Sequence, residues 1–99
     1  MITVTYSPNF LRQFNKLPPA LQDEAEDRVT LFAQDPRNPL LRTHKLKGHL
    51  QNRWSFSVNY RYRILFVYDS KKSVLLIAIG DHSLYDTGIR MFGESDIRF

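Results

Sequence analysis

Cysteine is absent from this chain of 99 residues. That excludes a disulfide framework and a thiolate metal site, and it makes a reducing cytoplasm the natural expectation. Long apolar runs are missing too, and none reaches the length of a bilayer span. The N-terminus, MITVTYS, has no basic leader followed by an apolar stretch, so neither a membrane anchor nor a signal peptide is expected. P-loop, dinucleotide-binding glycine pattern, nucleophile elbow and HExxH are all lacking. The most informative absence is of acid. Between Asp35 and Asp69 no acidic residue occurs, yet Arg37, Arg42, Lys45, Lys47, Arg53, Arg61 and Arg63 all fall there. The acids gather instead at Asp23, Glu24, Glu26 and Asp27, and the net charge is +4. A basic segment interleaved with Trp54, Tyr60 and Tyr62 has the make-up of a nucleic-acid surface, where guanidinium groups hold phosphates and rings stack on unpaired bases.

A chain of this length is expected to form one domain with a modest core. Ile2 to Tyr6 alternates β-branched and polar residues and reads as a first strand. Ser7 then reads as an N-cap, with Pro8 at the first helical position where its missing N–H costs nothing. Phe10, Phe14 and Leu17 share one helical face, and Pro18-Pro19 ends the helix. A second helix is predicted from about Pro19 to Gln34, with Leu21, Ala25, Val29 and Phe32 turned inward. Its acids suit the positive end of the helix dipole and solubility, and need no catalytic role. Asp35-Pro36 stops it, because proline disfavours helical geometry in the preceding residue. The two helices make an αα-hairpin that must pack on a later sheet.

Residues 37–48 look irregular, punctuated by Pro36 and Pro39. Trp54, Phe56 and Val58 then alternate with Ser55, Ser57 and Asn59. Ile64, Phe66 and Tyr68 alternate with Arg63, Leu65, Val67 and Asp69, the period of strands. If the second of these strands begins by Tyr60, Arg61 and Arg63 share a face with Leu65 and Val67, while Ile64, Phe66 and Tyr68 face the helices. Lys71-Lys72 marks a hairpin turn, and the apolar run SVLLIAIG suits an interior strand covered on both faces. The order β-α-α-β-β-β predicts an α+β fold, with helices on one face of a mainly antiparallel sheet and the other face left for a ligand. From about residue 87 the chain is expected to form a C-terminal arm.

Three histidines invite a metal reading, but His44 and His49 have no Asp or Glu near them in sequence, so no metal is expected. His82 follows the last strand directly, where an accessible imidazole can donate or accept a proton near neutrality. Arg63 lies in an apolar strand, where a guanidinium needs either an ion pair, with Asp69 or Asp81, or a phosphate. Trp54 reads as core. Together these residues meet the needs of RNA cleavage by a ribose 2′-OH attacking its own phosphate, which requires a base, an acid and cations. His82 and Tyr85 would transfer protons, and Arg61 and Arg63 with Lys45 or Lys47 would hold the phosphate. The nucleophile belongs to the substrate, so neither cofactor nor metal is called for.

The stretches ITVTYSPNFLRQFNKLP, KLKGHL, WSFSVNYRYRILFVYD and LLIAIGDHSLYD resemble, in that order and spacing, the RelE/ParE superfamily of toxins from toxin–antitoxin systems, in particular the RelE, YafQ and YoeB type. The resemblance implies a RelE-like microbial RNase fold spanning 1–99, an endoribonuclease (mRNA interferase) that cuts mRNA on the ribosome, and a cognate antitoxin as partner. The antitoxin would dock on the helical hairpin and the Ile89 to Phe92 arm. The family's strand arginine falls on Arg63, its terminal histidine on His82 and the aromatic after it on Tyr85. Serines 55 and 57 stand where RelE carries lysines, and no counterpart of the YoeB glutamate is present in the acid-free segment. Arg61 joins Arg63, His82 and Tyr85 as a catalytic residue, and Lys45, Lys47, His49 and Arg53 are the residues left to bind substrate. The superfamily also contains ParE-like inhibitors of DNA gyrase, and the same fold without catalysis would leave an RNA- or protein-binding domain.

Overall fold

Ser7 and Pro8 begin the first helix in the way the sequence requires. In the computed structural model, which describes residues 1–47 and 52–81, Ser7 has an extended backbone and its side chain accepts the Phe10 N–H at 3.0 Å. The elements in chain order are β1 (Thr3–Tyr6), α1 (Pro8–Asn15), α2 (Pro19–Gln34), a 3₁₀ turn (Pro39–Leu41), β2 (His44–Lys45), β3 (Trp54–Ser57), β4 (Arg63–Ser70) and β5 (Ser73–Gly80). The strands form one mixed sheet in the order β1-β5-β4-β3-β2. All neighbours are antiparallel except β1, which runs parallel to β5. This is the α+β architecture the sequence predicts, with an added short strand in the segment that looks irregular. Among the described residues no helix is long and apolar enough to cross a membrane. The expected C-terminal arm lies outside the described residues.

The helices cover one face of the sheet. Phe32 of α2 is fully buried, stacked on Phe56 at 4.5 Å and meeting Phe66 edge-on at 4.8 Å between ring centroids. Phe10, Ala25, Leu41, Val58, Ile64, Val74, Leu76 and Ile79 complete this core. Burying one such aromatic or branched side chain contributes on the order of 1.5–3 kcal/mol. Asp23, Glu24, Glu26 and Asp27 do not complement the helix dipole as expected: the first turn of α2 contains no acid, and the dipole's influence fades beyond that turn.

The opposite face is less open than the sequence suggests. Leu65 and Ala78 are fully buried there, with Leu46, Val67 and Leu75 packed against their cluster. A β-bulge explains why two consecutive residues of β5 join it. Leu65 pairs with Ala78 but Phe66 pairs with Leu76, so Ile77 is the extra residue and the alternation changes phase. Ile77 and Ala78 therefore both face away from the helices.

Beyond Leu76, β5 has outrun β1, whose last register partner is Tyr6. Buried backbone groups need partners, and polar side chains at the start of α1 supply them. Asn9 Nδ2 and Ser7 Oγ donate to the Ile77 carbonyl at 2.9 and 3.3 Å, and Gln13 Oε1 accepts the Ile79 N–H at 2.9 Å. Gln13→Leu should therefore leave a buried N–H unpaired and cost about 1–3 kcal/mol in urea denaturation. A loss no larger than that of the exposed control Asn15→Ala would show that α1 does not substitute for a strand partner.

Candidate functional site

The β3–β4 connection is built around Asn59. Its Oδ1 accepts the backbone N–H groups of Arg61 and Tyr62 at 2.9 and 2.7 Å, closing a turn of the type asparagine favours. The Val58 N–H also reaches the Tyr62 carbonyl at 2.9 Å. Two bonds fasten this turn to α2: Asn59 Nδ2 donates to Glu24 Oε1 at 2.8 Å, and Arg28 Nε donates to the Val58 carbonyl at 3.0 Å. Glu24 thus has a structural task that charge alone did not reveal.

Arg63 opens β4 and is half-buried. Register pairs it with Ser57 on one side and Gly80 on the other, which puts it on the face away from the helices with Leu65. Its Nη1 donates to the carbonyls of Asn59 and Tyr62 at 2.9 and 3.4 Å. Carbonyl acceptors fix the guanidinium without neutralising it. Of the acids weighed as partners, Asp69 is exposed and six residues along the strand, about 20 Å away at strand rise. Asp81 directly follows Gly80, the register partner of Arg63.

Arg63, Ser57, Asn59 and Tyr60 line an open concavity of about 310 Å³ with Pro39, Leu40 and Arg42 from the 3₁₀ turn. Arg42 is exposed and holds the left-handed conformation, φ 49° and ψ 42°, which is costly for a residue with a Cβ. Its carbonyl lies 2.9 Å from His44 Nδ1, so that nitrogen carries the proton. Pro39 and Arg42 also border a second concavity of about 460 Å³ with Arg37, Trp54 and Tyr68.

The other expected site residues scatter. Arg61 is in the exposed turn and not on β4, with its guanidinium carbon 5.9 Å from the centroid of the Tyr62 ring. Lys45 is exposed and pairs with Trp54, which places it on the helix side of the sheet edge, opposite Arg63. Two residues are too few for β2 to display a period from which its faces can be read. Lys47 is exposed. Arg53 is half-buried before β3, its carbonyl accepting the Leu46 N–H at 2.9 Å. His49, His82 and Tyr85 lie outside the described residues. Arg42, Ser57, Asn59 and Tyr60 join the site without having been named as site residues, although Arg42 and Tyr60 belong to the basic, aromatic segment read as a nucleic-acid surface. Asn59 carried a different signal, as a turn former between two strands. A separate apolar groove of about 370 Å³ lies between the helices beside β1, lined by Tyr6, Phe10, Leu11, Phe14, Glu26, Val29 and Thr30.

A helical hairpin on one face of this five-stranded sheet is the fold of the RelE, YoeB and YafQ type of toxins. The chain is similar to YafQ from Escherichia coli, with a TM-score of 0.70 and 12% identity over 86% of this chain and 98% of that one. It is similar to a chain of the YoeB–YefM complex from Staphylococcus aureus, with a TM-score of 0.65 and 14% identity over 83% and 98%. A chain of the toxin–antitoxin complex RelBE2 from Mycobacterium tuberculosis gives a TM-score of 0.61 and 25% identity over 83% and 92%. No protein-family model and no curated protein matches the sequence.

The Asn59–Glu24 bond makes a direct prediction. A double-mutant cycle with Asn59→Ala and Glu24→Ala should give a coupling of about 0.5–1.5 kcal/mol in chemical denaturation. Additive effects would mean that the turn is not held to α2 by this contact.

Proposed function

We propose that this protein is the toxin of a type II toxin–antitoxin system, a metal-independent endoribonuclease that acts in the cytoplasm on mRNA at the ribosome and so inhibits translation and arrests growth. The observation that carries this reading is Arg63, held by carbonyl oxygens at the rim of a concavity that Arg42 also lines, in a segment free of acid from 36 to 68. Such a pair of cations suits a phosphodiester. In the proposed reaction a base takes the proton of the ribose 2′-OH and the oxygen attacks the adjacent phosphorus. The P–O5′ bond breaks, and an acid protonates the leaving 5′ oxygen, leaving a 2′,3′-cyclic phosphate. Arg63 would stabilise the charge gathering on the phosphoryl oxygens. His82, two residues after Gly80, would transfer protons, with Tyr85 as its second. Arg61, Lys47, His49 and Arg53 would hold flanking phosphates, and Lys45, on the far side of the sheet edge, would serve strands that wrap it.

An antitoxin is the expected partner. The apolar groove at the helical hairpin supports this: Tyr6 and Leu11 on its rim are 46% and 44% exposed, and an amphipathic segment can fill such a groove.

Expression of the wild type should stop growth and fragment mRNA. Arg63→Ala should lower cleavage about 10²–10³-fold and His82→Ala about 10²–10⁴-fold, with folding checked by circular dichroism. Folded variants that cleave as well as wild type would refute the site. Intact mRNA with a DNA-damage response would favour gyrase inhibition, and intact mRNA with normal growth a binding-only domain.

A further inference from the structure

Trp54, Tyr60 and Tyr62 interleave the basic segment, and the structure separates them. Trp54 packs on Phe66 at 6.3 Å and meets Tyr68 edge-on at 5.2 Å. Tyr62 packs against the main core and has Arg61 over its ring. Tyr60 is 89% exposed, yet it is not on a loose loop. The Asn59 side chain accepts the N–H groups of Arg61 and Tyr62, the two residues that follow Tyr60, while Glu24 and Arg28 hold the turn from below and Arg63 holds the Asn59 carbonyl. The fold therefore presents a bare ring from a braced turn, at the edge of the concavity lined by Ser57, Arg42 and Arg63.

We propose that Tyr60 is the base-stacking platform of a subsite for single-stranded RNA, and that Arg42 holds the phosphate joined to the stacked nucleotide. This rests on the endoribonuclease reading and adds to it where the strand lies and what selects it. Arg63 and Tyr60 line the same concavity, so a strand whose reacting phosphate sits at Arg63 has a neighbouring nucleoside within the reach of Tyr60. Stacking on one face requires an unpaired base, which a duplex does not offer. Arg42 borders both concavities, so a strand that leaves Tyr60 passes it on the way to Arg37. Its left-handed backbone sets the side chain at that junction.

The test uses a short 2′-O-methylated single-stranded oligoribonucleotide, which lacks the attacking hydroxyl, with 2-aminopurine at successive positions. Wild type and Tyr60→Phe should quench the fluorescence at one position. Tyr60→Ala should lose that quenching and bind roughly 5- to 150-fold more weakly, the range that one base stack accounts for. Arg42→Gln should weaken binding and reduce the slope of log K against log salt by about 0.7, one phosphate contact on a single strand. Tyr60→Ala that binds within twofold of wild type and keeps the quenching overturns the subsite. So does cleavage of unmodified RNA at unchanged rate and sequence preference by Tyr60→Ala, and in that case the endoribonuclease reading survives. If wild type neither binds the oligonucleotide nor cleaves mRNA in a translating extract that contains ribosomes, the parent reading fails first and the subsite falls with it.

Discussion

Phe32 lies 4.5 Å from Phe56 and 4.8 Å from Phe66, between ring centroids, and this contact sets where α2 rests on the sheet. A close-packed interior tolerates little displacement, so the rest of α2 is placed with it. Arg28 and Glu24, one and two turns N-terminal to Phe32, then reach the Val58 carbonyl and the Asn59 amide. From Asn59 the order passes through its backbone carbonyl to Arg63. A hydrophobic contact at the middle of the sheet thus determines the position of a guanidinium at its end. The links are short and each is a bond between named atoms, so the site inherits the rigidity of the core.

The charge distribution follows the same geometry. An acid facing Arg63 directly would satisfy it and compete with an anionic ligand. Among the described acids, Glu24 contacts the neutral amide of Asn59 instead, Asp69 sits at the other end of β4, and Asp81 follows Gly80, the register partner of Arg63. Glu26 lies at the separate apolar groove between the helices. The acids of α2 serve solubility and hold the turn, while the segment from 36 to 68 keeps its positive charge. This division needs two layers, since a strand and its neighbour are too close to carry opposite charges without pairing.

Much of this was legible in the residues. Ser7-Pro8 fixed the start of α1, Pro19 and Asp35-Pro36 bounded α2, and the alternation of Ile64 and Phe66 with Leu65 and Val67 assigned the faces of β4. Four features were hidden for identifiable reasons. The phase change at Ile77 falls in a run that is apolar on both faces, so period two has no contrast to lose there. The start of β4 at Arg63 depends on an Asn59 side chain capturing two N–H groups that would otherwise belong to a strand. That capture took Arg61 out of the sheet. The side of the sheet on which Lys45 falls depends on a strand two residues long, below any periodic signal. The pairing of Arg42 with Arg63 joins positions 21 apart in sequence, and only the packing of the 3₁₀ turn beside β3 brings them to one concavity.

What distinguishes Arg63 from the other cations of the segment is how it is held. A free arginine side chain carries about 2 kcal/mol of rotamer entropy that a ligand must overcome when it orders the group. At Arg63 the Asn59 and Tyr62 carbonyls have already ordered the guanidinium, so an oxyanion meets donors in place. Arg61 and Lys47, exposed on the surface, offer charge without that preparation and are screened by salt. They can draw a polyanion toward the surface, whereas the fixed geometry needed to stabilise charge developing on one phosphate is found at Arg63. The fold therefore separates attraction from positioning, and the residue it positions most closely is the one that opens β4.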